Sequence, residues 1–145
     1  MVKVEGTAVV NAPVEKVFDY LADPHSNVDV MPGMVDVRDV EDPPSHVGGH
    51  FHWTYKMAGI KFDGETKILE WEKNRRVVTE TKGGIRSRWT FSYEPAVPGT
   101  KMTVAVEYEV PVPVLGKLAE AIVRRQNEKE LELMFSNVKA RVEGA

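Results

Sequence analysis

Glu130 is the acidic residue best placed for chemistry in this sequence, because it stands with Gln126 and Asn127 where an apolar stripe is interrupted. Leu115, Leu118, Ile122, Leu131, Met134, Val138 and Val142 recur at helical spacing on either side of that break. A carboxyl held in an apolar pocket has a raised pKa and can act as a general acid or base near neutrality. A helix packed on a sheet along its whole length would stay apolar, since an unpartnered buried polar group costs about 1–3 kcal/mol. Two readings follow. Either a cavity lies behind the middle of the helix, or Asn127 and Glu130 turn to its solvent edge; spacing alone leaves both open.

The remaining candidates define no catalytic set. Glu70, Glu80, Glu107 and Glu109 are not singled out by spacing, and Glu107 and Glu109 alternate with Val106, Tyr108 and Val110 as an exposed strand face would. His50 and His52, two apart on a strand, share a face and could present two imidazoles to one metal ion. Their parity is opposite to Phe51, Trp53 and Tyr55, and no third ligand is implied, so they read as solvent-facing and no metal is expected. His25 and His46 fall in loops. Arg86 and Arg88 share the parity opposite to Ile85 and Trp89 and read as outer-face charges, as do Lys61, Asp63, Glu65 and Lys67. No dinucleotide, Walker, nucleophile-elbow or zincin motif is present, and no cofactor is expected.

The elements that would position these residues are legible from periodicity. In residues 2–10 Val2, Val4, Gly6, Ala8 and Val10 share one parity, with Lys3, Glu5 and Thr7 on the other, predicting a half-buried strand with a small inner face. Asn11-Ala12-Pro13 starts a helix carrying Val14, Val17, Phe18 and Leu21, and a second short helix or helical turn is expected between His25 and Gly33. Strands follow over Met34 to Val40, Val47 to Met57, Ile60 to Trp71, Arg76 to Thr81, Ile85 to Tyr93 and Met102 to Val110. Short turns at Ala58-Gly59, Lys73-Asn74, Gly83-Gly84 and Pro98-Gly99 make neighbours antiparallel. From Val114 to about Val142 one proline-free helix, roughly 40 Å long, closes the chain. The order is that of an α+β fold: a curved antiparallel sheet of about six to seven strands, a long C-terminal helix, and two short helices after the first strand.

Many inward side chains of this sheet are aromatic. Phe51, Trp53 and Tyr55 share one parity with Met57, Phe62 lies on the following strand, and Trp89, Phe91 and Tyr108 come later. A packed core and a ligand pocket look alike at this level, since pockets are mostly apolar with a few polar groups. The lining candidates are Phe51, Trp53, Tyr55, Phe62, Trp89, Phe91 and Tyr108 from the sheet, with Asn127, Leu131 and Met134 from the helix.

Composition narrows the class. The 145 residues are 42% hydrophobic and 28% charged, without low-complexity stretches, and are expected to form one domain spanning 1–145. Nineteen Lys and Arg against 22 Asp and Glu give a net charge of -3, a poor match to nucleic acid. There is no cysteine, hence no disulfide or thiolate chemistry. No apolar run approaches a membrane span and no leader segment is read, so a cytoplasmic location is expected.

The pattern Val10-x-Ala12-Pro13-x-Glu15-x-Val17-Phe18-x-x-Leu21-x-Asp23, with Met31-Pro32 and Val47-Gly48 later, resembles the START/Bet v 1-like (SRPBCC) superfamily. The polyketide cyclase/dehydrase and coenzyme Q-binding branch is the most similar, and the ending Val110-Pro111-Val112-Pro113-x-Leu115-Gly116-x-Leu118 extends the likeness over essentially the whole chain. The resemblance implies a helix-grip fold with a hydrophobic cavity between sheet and C-terminal helix, used for lipids, quinones, polyketides or plant hormones. Quinone-binding members commonly carry an aromatic-rich, Cys-containing segment where this chain has Met31-Pro32-Gly33-Met34, which argues against ubiquinone. The leading expectation is binding or transport of a small hydrophobic ligand, entering between the long helix and the segments near Met31 to Met34 and Met57 to Ile60. Two alternatives stand beside it. One is a cyclase or dehydrase using the same pocket, with Tyr55, Tyr108, Glu130 or Asn127 moving protons. The other is a protein-partner module with an apolar patch at Leu69, Trp71 and Val112.

Overall fold

The computed structural model describes residues 2–57, 59–83, 86–109 and 116–143. The expectations placed on Ala58, Gly84, Ile85 and residues 110–115 lie outside the described residues, as do those on the side chains of Met57, Leu118 and Ile122. The elements run β1 (Val2–Val10), α1 (Val14–Ala22), α2 (Ser26–Val30), β2 (Met34–Glu41), β3 (His50–Met57), β4 (Ile60–Glu72), β5 (Arg76–Lys82), β6 (Ser87–Ala96), β7 (Gly99–Tyr108) and α3 (Gly116–Val142). They form the expected α+β arrangement.

All seven strands join one antiparallel sheet in the order β1-β7-β6-β5-β4-β3-β2. Successive strands are neighbours except β1 and β2, which form opposite edges and are linked through α1 and α2. Pro13, whose φ of -60° is fixed by its ring, precedes α1, and its carbonyl accepts from the Lys16 and Val17 amides. Irregularities in β2, between Met34 and Asp36 and between Arg38 and Glu41, and in β4, between Ile68 and Glu70, bend their strands as bulges do. The second β2 irregularity contains Asp39 at a φ of 55°.

The core is the sheet's inner face covered by α1 and the C-terminal half of α3. Met102, Val104, Val106 and Tyr108 of β7 are all buried, and they meet Val2 and Val4 of β1 and Leu131, Met134, Phe135, Val138 and Val142 of α3. The small inner face of β1 has a steric reason. A Cβ at Gly6 would lie 2.8 Å from Phe135 Cε2, so the missing side chain lets α3 settle close to the strand. Polar contacts hold this half of the helix at its middle and just past its C-terminus. The Asn11 amide donates to Glu143 Oε2 at 2.7 Å, and Asn137 Nδ2 donates to the Val30 carbonyl at 3.1 Å.

Candidate functional site: a cavity under the long helix

Between the sheet and the middle of α3 lies a cavity of about 240 Å³. Pockets for drug-sized ligands run to about 300–1,000 Å³, so this one suits a compact guest. Phe51, Trp53 and Tyr55 reach it from β3, Phe62, Thr66, Ile68 and Trp71 from β4, and Val77, Thr79 and Thr81 from β5. Ser87, Trp89, Phe91 and Tyr93 line it from β6, and Val106 and Tyr108 from β7. Phe18 and Leu21 of α1 and the segment from Asn27 to Met34 complete one side, and Gln126, Asn127 and Glu130 form the helical wall.

Eight of the ten residues expected at the lining are therefore there: Phe51, Trp53, Tyr55, Phe62, Trp89, Phe91, Tyr108 and Asn127. Leu131 and Met134 are not. They are 4% and 2% exposed, packed in the core cluster with the strands of the sheet, and they anchor the helix instead of bordering the cavity. One helix face thus serves two environments, and the apolar side chains go to the solid one.

The polar interruption in α3 faces the cavity. Tyr55 donates a short hydrogen bond to Glu130 Oε1 across 75 residues of sequence. Burial raises the Glu130 pKa, and the hydrogen bond from Tyr55 partly opposes that rise. The Tyr55 phenol is also raised, first by burial and then by the carboxyl it faces. Farther in, donors are paired within the wall. Trp53 Nε1 donates to Thr66 Oγ1 at 2.9 Å, and Trp89 Nε1 donates to Ser87 Oγ at 3.0 Å.

Gly64 decides where Trp53 can lie. The two residues are register partners, and a Cβ at Gly64 would sit 2.3 Å from Trp53 Cζ2 and 2.7 Å from the Lys82 carbonyl oxygen. The indole therefore crosses directly over the glycine to reach Thr66 on the same strand.

Trp71, which one alternative puts on an outer patch, lines the cavity instead, because the irregularity between Ile68 and Glu70 shifts the alternation of β4 by one residue. Phe18 meets it edge to face at 5.1 Å, and meets Tyr93 likewise at 5.4 Å. On the far side of Trp71 the His46 ring stacks at 4.0 Å, with Nδ1 2.7 Å from Asp42 Oδ1. Phe18, Ala22, Pro24 and Trp71 form a wall shared with a second, more open depression there. Leu69 is half-buried, and Val112 is outside the described residues.

His50 and His52 stay on the outer face, beside Glu41 at 2.9 Å and Asp39 at 3.3 Å respectively. Among the described residues no group of three or more His, Asp or Glu is placed to hold a metal ion. Among them, too, no helix is long and apolar enough to cross a membrane.

Replacing Glu130 by glutamine tests the electrostatics of the cavity. With its native pKa above the ordinary 4.5, Glu130 holds more protons in the folded than in the unfolded chain between those two values. Its contribution to stability therefore falls as pH rises through that interval, and the cost is complete above the native value. Glu130→Gln removes the cost, so the variant should gain on the parent in neutral solution and not in acid. The carboxyl is partly exposed, which limits the gain to under about 1 kcal/mol. Thermal melts across pH check this; a difference that does not change with pH would contradict it.

A seven-stranded sheet with two edge-linking helices, a long C-terminal helix and a cavity beneath it defines a START-like helix-grip protein. Residues 1–143 match the sequence profile of the family described as polyketide cyclase/dehydrase and lipid transport, and the chain belongs to that family. Similar solved structures include TTHA0849 from Thermus thermophilus, at a TM-score of 0.81 and 19% identity, covering 99% of this chain and 98% of that one. A START superfamily protein from Mycobacterium smegmatis aligns at 0.79 and 19%, covering 98% and 97%. CV1439 from Chromobacterium violaceum aligns at 0.75 and 18%, covering 97% of each. At such identities the likeness is one of fold. A comparison with curated proteins gives no match.

Proposed function

We propose that this protein binds a compact hydrophobic small molecule in the cavity beneath α3, as a carrier or as the substrate site of a cyclase or dehydrase. The observation that carries the reading is the polar face of α3 itself: Asn127 and Glu130 border an aromatic-walled cavity instead of packing against it or turning fully to solvent. Aromatic walls supply affinity through burial. About 300 Å² of apolar ligand surface at roughly 25 cal/mol/Å² contributes about 7 kcal/mol before ordering costs, which corresponds to micromolar binding. The way in that suits this reading lies between Gln126 and Asn127 on the helix and Met31 and Met34 opposite, all of which border the cavity.

The enzymatic form of the reading has its own support, because Glu130 and Tyr55 place two proton-bearing groups in contact on the lining. A carboxyl with a raised pKa beside a phenol is suited to moving a proton to or from a bound carbonyl compound.

One experiment addresses both forms. Native mass spectrometry of gently purified protein should show a bound small molecule, and Thr79→Trp, which puts an indole into the cavity from β5, should abolish it while leaving a cooperative melt. Incubated again with fresh protein, the released molecule is returned unchanged by a carrier and converted by a cyclase or dehydrase. A folded Thr79→Trp protein that retains the full load would place binding outside this cavity.

A further inference from the structure

We propose that the cavity selects an apolar molecule carrying a hydrogen-bond donor, a hydroxyl or an amino group, and rejects the same apolar body bearing a carboxylate. The inference rests on the ligand-binding reading above and concerns its selectivity.

Charge comes first. Among the described residues bordering the cavity, Glu130 is the one with a formal charge, and no lysine, arginine or histidine stands beside it on the lining. Nor does Glu130 share an ion pair with any described residue, although eight lysine or arginine ion pairs occur elsewhere among them. A ligand carboxylate would therefore add a second negative charge to an apolar space whose described lining offers no compensating cation, where like charges repel more strongly than in water.

Hydrogen-bonding capacity points the same way. An ionised carboxylate only accepts, and its two oxygens offer about four lone-pair sites. Tyr55 fills one of them on Oε1. A hydroxyl or protonated amine on the ligand can take another, in a charge-assisted bond of the stronger kind. Meanwhile three donors of the cavity are already committed to protein acceptors: the Tyr55 hydroxyl to Glu130, Trp53 Nε1 to Thr66 and Trp89 Nε1 to Ser87. At Glu130 the polar edge is thus open to a ligand donor.

The probes are four naphthalenes that share one apolar body and carry a methyl, hydroxyl, aminomethyl or carboxylate group. Their affinities for the intact protein are measured by calorimetry at neutral pH. The hydroxyl and aminomethyl compounds should bind about tenfold or more tightly than the carboxylate, and Glu130→Gln should narrow that ratio. If Glu130→Gln fails to fold, Tyr55→Phe replaces it. That change frees an acceptor site on Glu130 and should keep or widen the preference. Equal affinity for carboxylate and hydroxyl compounds overturns the inference, as does a ratio unchanged in folded Glu130→Gln. Binding of the methyl compound alone overturns it too and leaves the ligand-binding reading standing. Failure of all four to bind overturns that reading and this inference together.

Discussion

Replacing Phe18 by alanine is expected to destabilise the protein by about 3–5 kcal/mol, the usual cost of deleting a buried phenyl ring. Phe18 is 1% exposed and touches both Trp71 and Tyr93 edge to face, so its ring leaves a void that neither neighbour can fill without abandoning the cavity wall. For a chain of this length the melting temperature should fall by about 10 °C or more. A second effect separates this site from an ordinary core position. Phe18 stands in the wall between the cavity under α3 and the depression at His46, so the truncated protein should join the two spaces and accept bulkier apolar guests. Calorimetric melts give the first quantity, and the affinities of a size series of aromatic hydrocarbons give the second. A melting point within a degree or two of the parent would contradict this packing.

Gly64→Ala should cost about 1–3 kcal/mol, the range for forcing an extra methyl into a filled site. The new Cβ meets the Trp53 ring at 2.3 Å on one side and the Lys82 carbonyl oxygen at 2.7 Å on the other. Backbone of a neighbouring strand cannot yield, so the indole must. Its hydrogen bond to Thr66 should break, and the displaced ring should enter the cavity space. Near-ultraviolet circular dichroism should therefore change together with stability, and any co-purifying small molecule should be reduced. An unaltered aromatic spectrum in a destabilised variant would mean that the strain is taken up by the backbone of β4 and not by Trp53.

The sheet is largely legible in the sequence because most of its strands show one face to the core. Met102, Val104, Val106 and Tyr108 alternate without interruption, and all four are buried where the alternation puts them. Trp71 shows where that logic stops. Its side is set by a bulge just before it in the strand, and a bulge leaves no mark on hydrophobic periodicity that distinguishes it from a run of mixed residues. On the last helix the break at Gln126, Asn127 and Glu130 is visible, yet it admits two readings because spacing does not say what faces a helix. Tyr55, 75 residues away, supplies the answer, and contacts of that separation are a property of topology. The same limit explains Leu131 and Met134. Apolar side chains bordering a cavity and apolar side chains filling a core have identical spacing, and the closeness of β1, permitted by Gly6, assigns Leu131 to the core, which Met134 joins one turn further on.

The division of α3 into a polar cavity wall and an apolar anchor bears on how such a protein can change over evolutionary time. Positions 126, 127 and 130 can be exchanged while Leu131, Met134, Val138 and Val142 continue to hold the helix on the sheet. Asn127 and Glu130 lie within a turn of Leu131 and Met134, so exchanges on the wall couple to the first turn of the anchor, while Val138 and Val142, two turns or more beyond Glu130, are far enough for effects to combine nearly additively. A lineage built on this scaffold is free to vary the lining of its cavity while remaining nearly invariant in shape.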